Sequence, residues 1–176
     1  DALGQRWAAL TDRGIIEAYG TSETHAVVLA SRPEDRIAGC AGLPTPGTEA
    51  YLGDSDGNAV PACEIGVLWL RHPCLASGYW ELPEAPAEAF RNGWFRSGDM
   101  FSLDDKGRYW HQGRADDMLK VAGQWVSPAV VENVVFAAGL CREAACVPVP
   151  DTDGFHRLAL FAVGNAGGSD LEQQIL

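Results

Sequence analysis

Positive charge is scarce in this sequence: 13 Lys and Arg stand against 24 Asp and Glu, a net charge of −11 over 176 residues. Such a chain lacks the clustered cations that nucleic-acid phosphates require, which argues against a nucleic-acid partner. It contains no apolar run of about 18 residues, so no helical membrane span is expected. No signal-peptide pattern opens it, and it starts at Asp1 rather than Met. Cysteine is sparse and odd in number: Cys40, Cys63, Cys74, Cys141 and Cys146, with no C-x-x-C pair. That argues against a disulfide framework or a zinc site and for reduced, buried thiols in a cytoplasmic protein. The histidines His25, His72, His111 and His156 have no mutual spacing suited to a metal site or a catalytic triad. His25 is read as a structural residue or as the lining of a ligand cavity. No internal repeat is present.

What the chain does have is an ordinary globular composition, 47% hydrophobic, with enough length for one core or two small ones. Residues 1–14 read as the tail of a helix, with Leu3, Trp7, Ala8 and Leu10 near one face and Gly14 as the stop. A polar loop at Gly20–Thr24 precedes an apolar run at Ala26–Ala30. From about 47 to 110 the pattern is β. Thr48–Leu52 and Gly66–Arg71 flank a turn at Asp56-Gly57, and Arg96–Leu103 and Arg108–Gln112 flank another at Asp104–Gly107. A short helix is expected at 83–91, opened by Pro83 and ended by Asn92-Gly93. Ser127-Pro128 then caps a second helix carrying Val130, Val131, Val134, Val135 and Ala138 on one stripe, closed by Gly139. Strands are expected at Glu143–Val149 and Leu158–Gly164, and Ser169–Glu172 reads as a capping box opening a further helix. A β-rich unit followed by a helix with its own strands suggests two structural units. They are joined by the charged sequence Gly113-Arg-Ala-Asp-Asp117 rather than by a Gly/Ser linker.

Four polar clusters are candidates for chemistry. Tyr19-Gly-Thr-Ser-Glu-Thr24 offers close backbone approach, phosphate-binding hydroxyls and a carboxylate for a hard cation; its dull alternative is a solvated turn. In Trp94-Phe-Arg-Ser-Gly-Asp99 the carboxylate is suited to accept both hydrogens of a vicinal diol, or else to bond nearby backbone amides at a strand end. Gly113–Gly123 brings a guanidinium fork at Arg114 and paired carboxylates at Asp116 and Asp117; the alternative is a charged interdomain turn. Glu64–Arg71 with Ser77-Gly-Tyr-Trp80 reads as core strand and turn, its aromatics packing rather than binding.

Taken in order, these clusters resemble the adenylate-forming superfamily, which includes acyl- and aryl-CoA ligases, peptide-synthetase adenylation domains and luciferases. Tyr19-Gly-Thr-Ser-Glu23 looks like the family's Y-G-x-[ST]-E, and Phe95-Arg-Ser-Gly-Asp99 matches its [FY]-R-[ST]-G-D. Glu64–Leu70 with Ser77–Trp80 looks like its G-E-[IL]-x-[IVL]…G-Y segment, and Gly113–Gly123 matches its G-R-x-D-D-x-[IL]-K-x-x-G hinge. The run 116–128, together with Ser31-Arg-Pro33, is most similar to benzoate-CoA ligases and related aryl-CoA ligases.

The resemblance implies an α+β fold. Residues 1–115 would be the β-rich, distorted barrel-like end of a large AMP-binding domain, joined by a hinge to a small α+β domain that begins at 116–176. It implies an acid activated by ATP to an acyl-adenylate with loss of pyrophosphate, then transferred to coenzyme A or to a carrier protein's phosphopantetheine with release of AMP. A small aryl acid is the favoured substrate, and Mg²⁺ the metal. Glu23 and Lys120 would be catalytic, with Glu23 holding Mg²⁺. Tyr19 would flank the adenine, Gly20, Thr21 and Ser22 would approach the phosphate, and Asp99 and Arg114 would hold the ribose. Asp116 would be the hinge, Lys120 and Gly123 the thioester-forming face, and Thr24, His25 and Ala26 the edge of the acyl pocket. The family's Ser/Thr/Gly-rich triphosphate loop and its C-terminal catalytic lysine are not found here. The expectation is therefore a piece of a larger ligase, inactive alone. A carrier-loading adenylation domain and a non-catalytic nucleotide-binding module are the alternatives.

Overall fold

The computed structural model describes residues 2–61, 64–82, 89–121, 124–150 and 156–164. The chain divides into two compact units, Asp1–Ala115 and Asp116–Leu176.

The first unit opens with α1 (Ala2–Thr11). This helix stops before the expected Gly14. Asp12 takes the left-handed conformation, φ 54°, and its N–H donates to Ala8 O at 2.9 Å, so an acidic residue supplies the terminating turn. Gly14 serves packing instead: a methyl group there would lie 2.7 Å from Arg36 Nε. Eight strands follow: β1 (Ala18–Thr21), β2 (Ala26–Ala30), β3 (Cys40–Pro44), β4 (Glu49–Gly53), β5 (Gly66–Arg71), β6 (Phe90–Arg91), β7 (Trp94–Leu103) and β8 (Tyr109–Arg114). They form one antiparallel sheet in the order β1-β2-β3-β8-β7-β5-β4, with β6 on β7.

The sheet is open, which corrects the barrel-like expectation. The C-terminal end of the outer edge of β4 is met by the chain's own return. Val60 N–H donates to Leu52 O at 2.9 Å, and Gly53 bridges Ala59, so the chain's own return covers the last two residues of β4. The return is set by Asp54, whose Oδ1 accepts from the N–H of Asp56 and of Asn58, with Gly57 at φ 90°. The second hairpin turn has the same chemistry: Asp104 Oδ1 accepts from Lys106 and Arg108 N–H, and Gly107 sits at φ 73°.

Of the helix expected at 83–91, residues 83–88 lie outside the described residues, Ala89 is helical, and Phe90–Arg91 is strand. Asn92 and Gly93 both have positive φ, 53° and 79°. Two such residues make a tight hairpin turn between β6 and β7 rather than a helix stop. The polar loop expected from Gly20 also starts later, because Gly20 and Thr21 belong to β1. The core gathers Val28, Leu29, Ala41, Leu52, Leu68, Leu70, Phe95, Phe101 and Tyr109. β5 is buried from Gly66 to Leu70, which accounts for its unbroken apolar run.

The second unit contains β9 (Leu119–Val121) antiparallel to β10 (Gln124–Val126), then α2 (Pro128–Ala137). β11 (Cys141–Pro150) pairs antiparallel with β12 (His156–Gly164). Ser127 makes no side-chain cap bond, contrary to expectation. α2 starts on Pro128 and backbone geometry alone, and Gly139 ends it at φ 69°. Val130 and Val134 of its stripe are exposed and Val135 is buried. Glu132 ties the helix to β11 by accepting from Cys146 N–H at 2.8 Å. Cys40, Cys74, Cys141 and Cys146 are free thiols; Cys63 and the Ser169 capping box lie outside the described residues. Among the described residues no helix is long and apolar enough to cross a membrane.

Phe101 is fully buried and packs against the rings of Tyr19, Tyr109 and His111 at 5.1, 6.2 and 5.0 Å. Phe101→Ala is expected to destabilise the first unit by about 3–5 kcal/mol in urea unfolding. A loss below about 1 kcal/mol would show that this ring is not central to the core.

Candidate functional site

The site is built around Asp99 on β7. The Ser97-Gly98-Asp99 segment works because Gly98 sits at φ 75°, a left-handed conformation that admits no ordinary side chain without strain. Its carbonyl accepts from Ala115 N–H at 2.8 Å, and a methyl group at Gly98 would press within 3.0 Å of Arg114 Nη2. The β7–β8 register then sets Asp99 opposite Arg114. A bulge between Met100 and Phe101 re-phases the ladder, so that Phe101 faces His111.

Tyr19 comes from β1. On a flat sheet, four strand spacings would put β1 roughly 19 Å from β7. Yet Tyr19 Oη donates to Asp99 Oδ2 at 2.6 Å, so the sheet curls strongly although it does not close. His111 Nε2 lies 3.3 Å from Asp99 Oδ1, and Arg114 Nη1 lies 3.5 Å from Oδ2 while donating to Ser97 O at 3.2 Å. Asp99 N–H donates to Ser97 Oγ at 3.1 Å. The Tyr19 ring stacks loosely over His111 and meets Phe101 edge-on.

The electrostatics follow from that packing. Burial penalises the Asp99 carboxylate, but the hydrogen bonds from His111 and Tyr19 and the Arg114 charge outweigh it, and its pKa falls below the usual carboxylate value. Burial, reinforced by the Asp99 hydrogen bond, pushes the Tyr19 phenol well above its ordinary value and keeps it a neutral donor. A carboxylate has about four lone-pair positions; the hydrogen bonds from Tyr19 and His111 take two, and Arg114 lies beside Asp99 as an ion pair at 3.5 Å, so capacity for two ligand hydroxyls remains.

The chain next to Tyr19 makes the second half of the site. Its β1–β2 register is irregular between Tyr19 and Gly20, and a methyl group at Gly20 would lie 2.4 Å from Ala26 O. The turn that follows is knotted by threonines. Thr24 is fully buried, and its hydroxyl bonds Thr21 O and Ala26 O at 3.1 and 3.2 Å. His25 adopts φ 49°, and Ser22 is exposed. Glu23 is held by a different segment: Ala76 N–H donates to Glu23 O, and Tyr79 Oη donates to Glu23 Oε1, each at 2.7 Å. Burial, then the Glu23 hydrogen bond, push the Tyr79 phenol up to about 12.

The structure thus joins Tyr19, Asp99 and Arg114, and places Gly20 and Thr21 on β1, Ser22, Glu23, Thr24 and His25 on the turn that follows, and Ala26 at the start of β2. It also brings in His111 and Tyr79, which no motif marks as site residues. His111 shows no spacing signal. It could have been found by counting back from the Asp104–Gly107 turn, which sets β8 against β7. The Tyr79 ring packs, as expected, and its hydroxyl also meets Glu23. In the second unit Asp116 is exposed, and Lys120 sits in β9 opposite Trp125. The Lys120 side chain and Gly123 are outside the described residues.

Among the described residues no group of three or more His, Cys, Asp or Glu side chains could cage a metal ion. A lone carboxylate among hydroxyls fits Mg²⁺, which keeps several waters and binds through one or two carboxylates plus substrate phosphates.

The chain is similar to known proteins over most of its length. Residues 1–80 match the family described as AMP-binding enzyme. The chain is 42% identical over 164 residues to a 3-hydroxybenzoate–CoA ligase of Aromatoleum sp. (strain CIB), an alignment covering 93% of this chain and 31% of that protein. It is 37% identical to a benzoate–CoA ligase of Thauera aromatica, covering 94% of this chain and 32% of that protein. The crystal structure of an anthranilate CoA ligase in complex with anthranoyl-AMP superposes with a TM-score of 0.83 at 36% identity, over 99% of this chain and 34% of that one. The chain spans about a third of the length of the curated relatives it matches.

The lowered Asp99 pKa has a consequence for acid stability. A carboxyl whose folded pKa lies below its unfolded value of 3.8 contributes stability that is present above that value and lost as pH falls through the folded one. Urea midpoints of wild type and Asp99→Asn, compared from about pH 6 to about pH 2.5, are expected to differ most at the upper end and converge in acid. A constant difference would contradict the sign.

Proposed function

This chain belongs to the AMP-binding family of adenylate-forming enzymes, and on that premise we propose that its parent protein is an ATP-dependent aryl-CoA ligase. In the first half-reaction the carboxylate of the acid displaces pyrophosphate at the α-phosphorus of ATP. In the second, the thiol of coenzyme A displaces AMP. The observation that carries this reading is the meeting of Tyr19, Asp99 and Arg114, residues from three strands, around one carboxylate. An aromatic face, a diol-accepting carboxylate and a guanidinium within one site match an adenosine monophosphate group for group.

In this reading Asp99 accepts the ribose hydroxyls, Tyr19 flanks the base and Arg114 supports the ribose or phosphate. Gly20, Thr21 and Ser22 border the α-phosphate. Glu23 holds Mg²⁺, which when bound supplies positive charge to the phosphate oxygens. Thr24, His25 and Ala26 border the acid. Residues 1–115 form the end of the large domain and 116–176 the start of the small one. Asp116 is the hinge, and Lys120 and Gly123 lie on the face used for thioester formation. The kinship with hydroxybenzoate-, benzoate- and anthranilate-CoA ligases supports an aryl acid and coenzyme A as substrates.

Full-length protein offered 3-hydroxybenzoate, benzoate and anthranilate is expected to catalyse acid-dependent ATP–pyrophosphate exchange with at least one of them, and to release AMP when coenzyme A is added. The 176-residue chain alone is expected to show no exchange. Failure of the full-length protein with every acid would overturn the proposal. Thioester formation on a holo carrier protein, but not on free coenzyme A, would reassign the acceptor.

A further inference from the structure

We propose that Tyr79 is a positioning residue for Glu23, holding one carboxylate oxygen so that the other is presented to a divalent cation; this rests on the reading of Glu23 as the cation ligand. Glu23 stands on the turn between β1 and β2, and an unrestrained Glu there would lose much of its rotamer freedom on meeting a cation. The segment 72–80 removes that freedom beforehand. It grips Glu23 twice, at the backbone through Ala76 N–H and at the side chain through Tyr79 Oη, each at 2.7 Å.

The grip is anchored in the core. The Tyr79 ring meets Phe90 edge-on at 5.6 Å, and Phe90 packs against Phe95, 2% exposed, at 5.1 Å. Just beyond, Glu81 adopts the left-handed conformation at φ 56°, so the backbone turns sharply right after the aromatic pair. The chemistry of the donor matters as well. An Arg or Lys in this place would pair with the carboxylate and cancel its attraction for a cation. A phenol donates one hydrogen bond and leaves the negative charge intact. It occupies Oε1 and leaves Oε2, which favours the single-oxygen binding that Mg²⁺ prefers.

The test compares full-length wild type, Tyr79→Phe, Glu23→Gln and the double variant. Three quantities are read: the Mg²⁺ concentration giving half-maximal pyrophosphate exchange, Mn²⁺ binding in the presence of ATP by water proton relaxation, and the urea midpoint. Phe keeps the ring on Phe90, so the urea midpoint is expected to hold. The Mg²⁺ requirement and the Mn²⁺ dissociation constant are expected to rise roughly three- to tenfold, with KM for the acid unchanged. In the Glu23→Gln background the same change is expected to add nothing. Unchanged cation dependence in Tyr79→Phe would overturn the inference while leaving the ligase reading intact. So would an equal effect in both backgrounds, or a fallen urea midpoint with normal cation dependence. Absence of exchange in the wild type would instead remove the ligase reading, and this inference with it.

Discussion

A hydrogen bond between residues 80 positions apart, Tyr19 Oη to Asp99 Oδ2, is the constraint around which the first unit is arranged. A nearly buried carboxylate is costly unless donors surround it. Here the donors are Tyr19 and His111, with the Arg114 charge beside them, delivered by β1 and β8 to a side chain on β7. For β1 to reach β7, the sheet must curl across the strands between them. The curl in turn needs the irregular register at Tyr19/Gly20 and the bulge at Met100/Phe101. Phe101 fills the space beneath the curl and sets the Tyr19 and His111 rings by edge contacts. The polar centre and the apolar core are therefore one construction: the ring that stabilises the sheet also orients the donors to Asp99.

Two glycines are part of the same arrangement. Gly98 takes a left-handed turn next to the Arg114 guanidinium, and Gly20 lets β1 pass closely over Ala26. The buried Thr24 spends its hydroxyl inside the turn, which fixes where Glu23 emerges. The segment 72–80 closes over that carboxylate from the other side. Tyr19 and Glu23 thus sit on one strand and the turn that follows it, so the two are positioned together; in the function proposed above that would keep nucleotide and cation in register.

Much of this was readable from the residues. The turns at Asp54–Asn58 and Asp104–Gly107 are written in side chains that bond their own backbone, and the fully apolar β5 announced a buried central strand. Three readings missed for physical reasons. Asn92-Gly93 signals a break in either a helix or a hairpin; pairing with β7, a tertiary effect, decides for the hairpin. Asp12, rather than a glycine, ends α1, because Asp tolerates the left-handed region. The sheet stays open, with β1 and β4 at its two ends, which strand periodicity does not reveal. Tyr19, Asp99 and Arg114, named from their motifs, are brought together by the fold. His111 and Tyr79 act across strand pairings and loops, where no fixed sequence spacing exists.

The central claim is that Asp99, held by Tyr19 and Arg114, receives the two hydroxyls of a ribose. It is tested most directly by the binding of ATP and of 2′-deoxy-ATP to the full-length protein and to its Asp99→Asn variant. Wild type is expected to prefer ATP by about tenfold or more, the worth of a hydrogen bond to a charged group. Asp99→Asn is expected to lose most of that preference. Equal discrimination by both proteins would contradict the account and move the ribose away from Asp99.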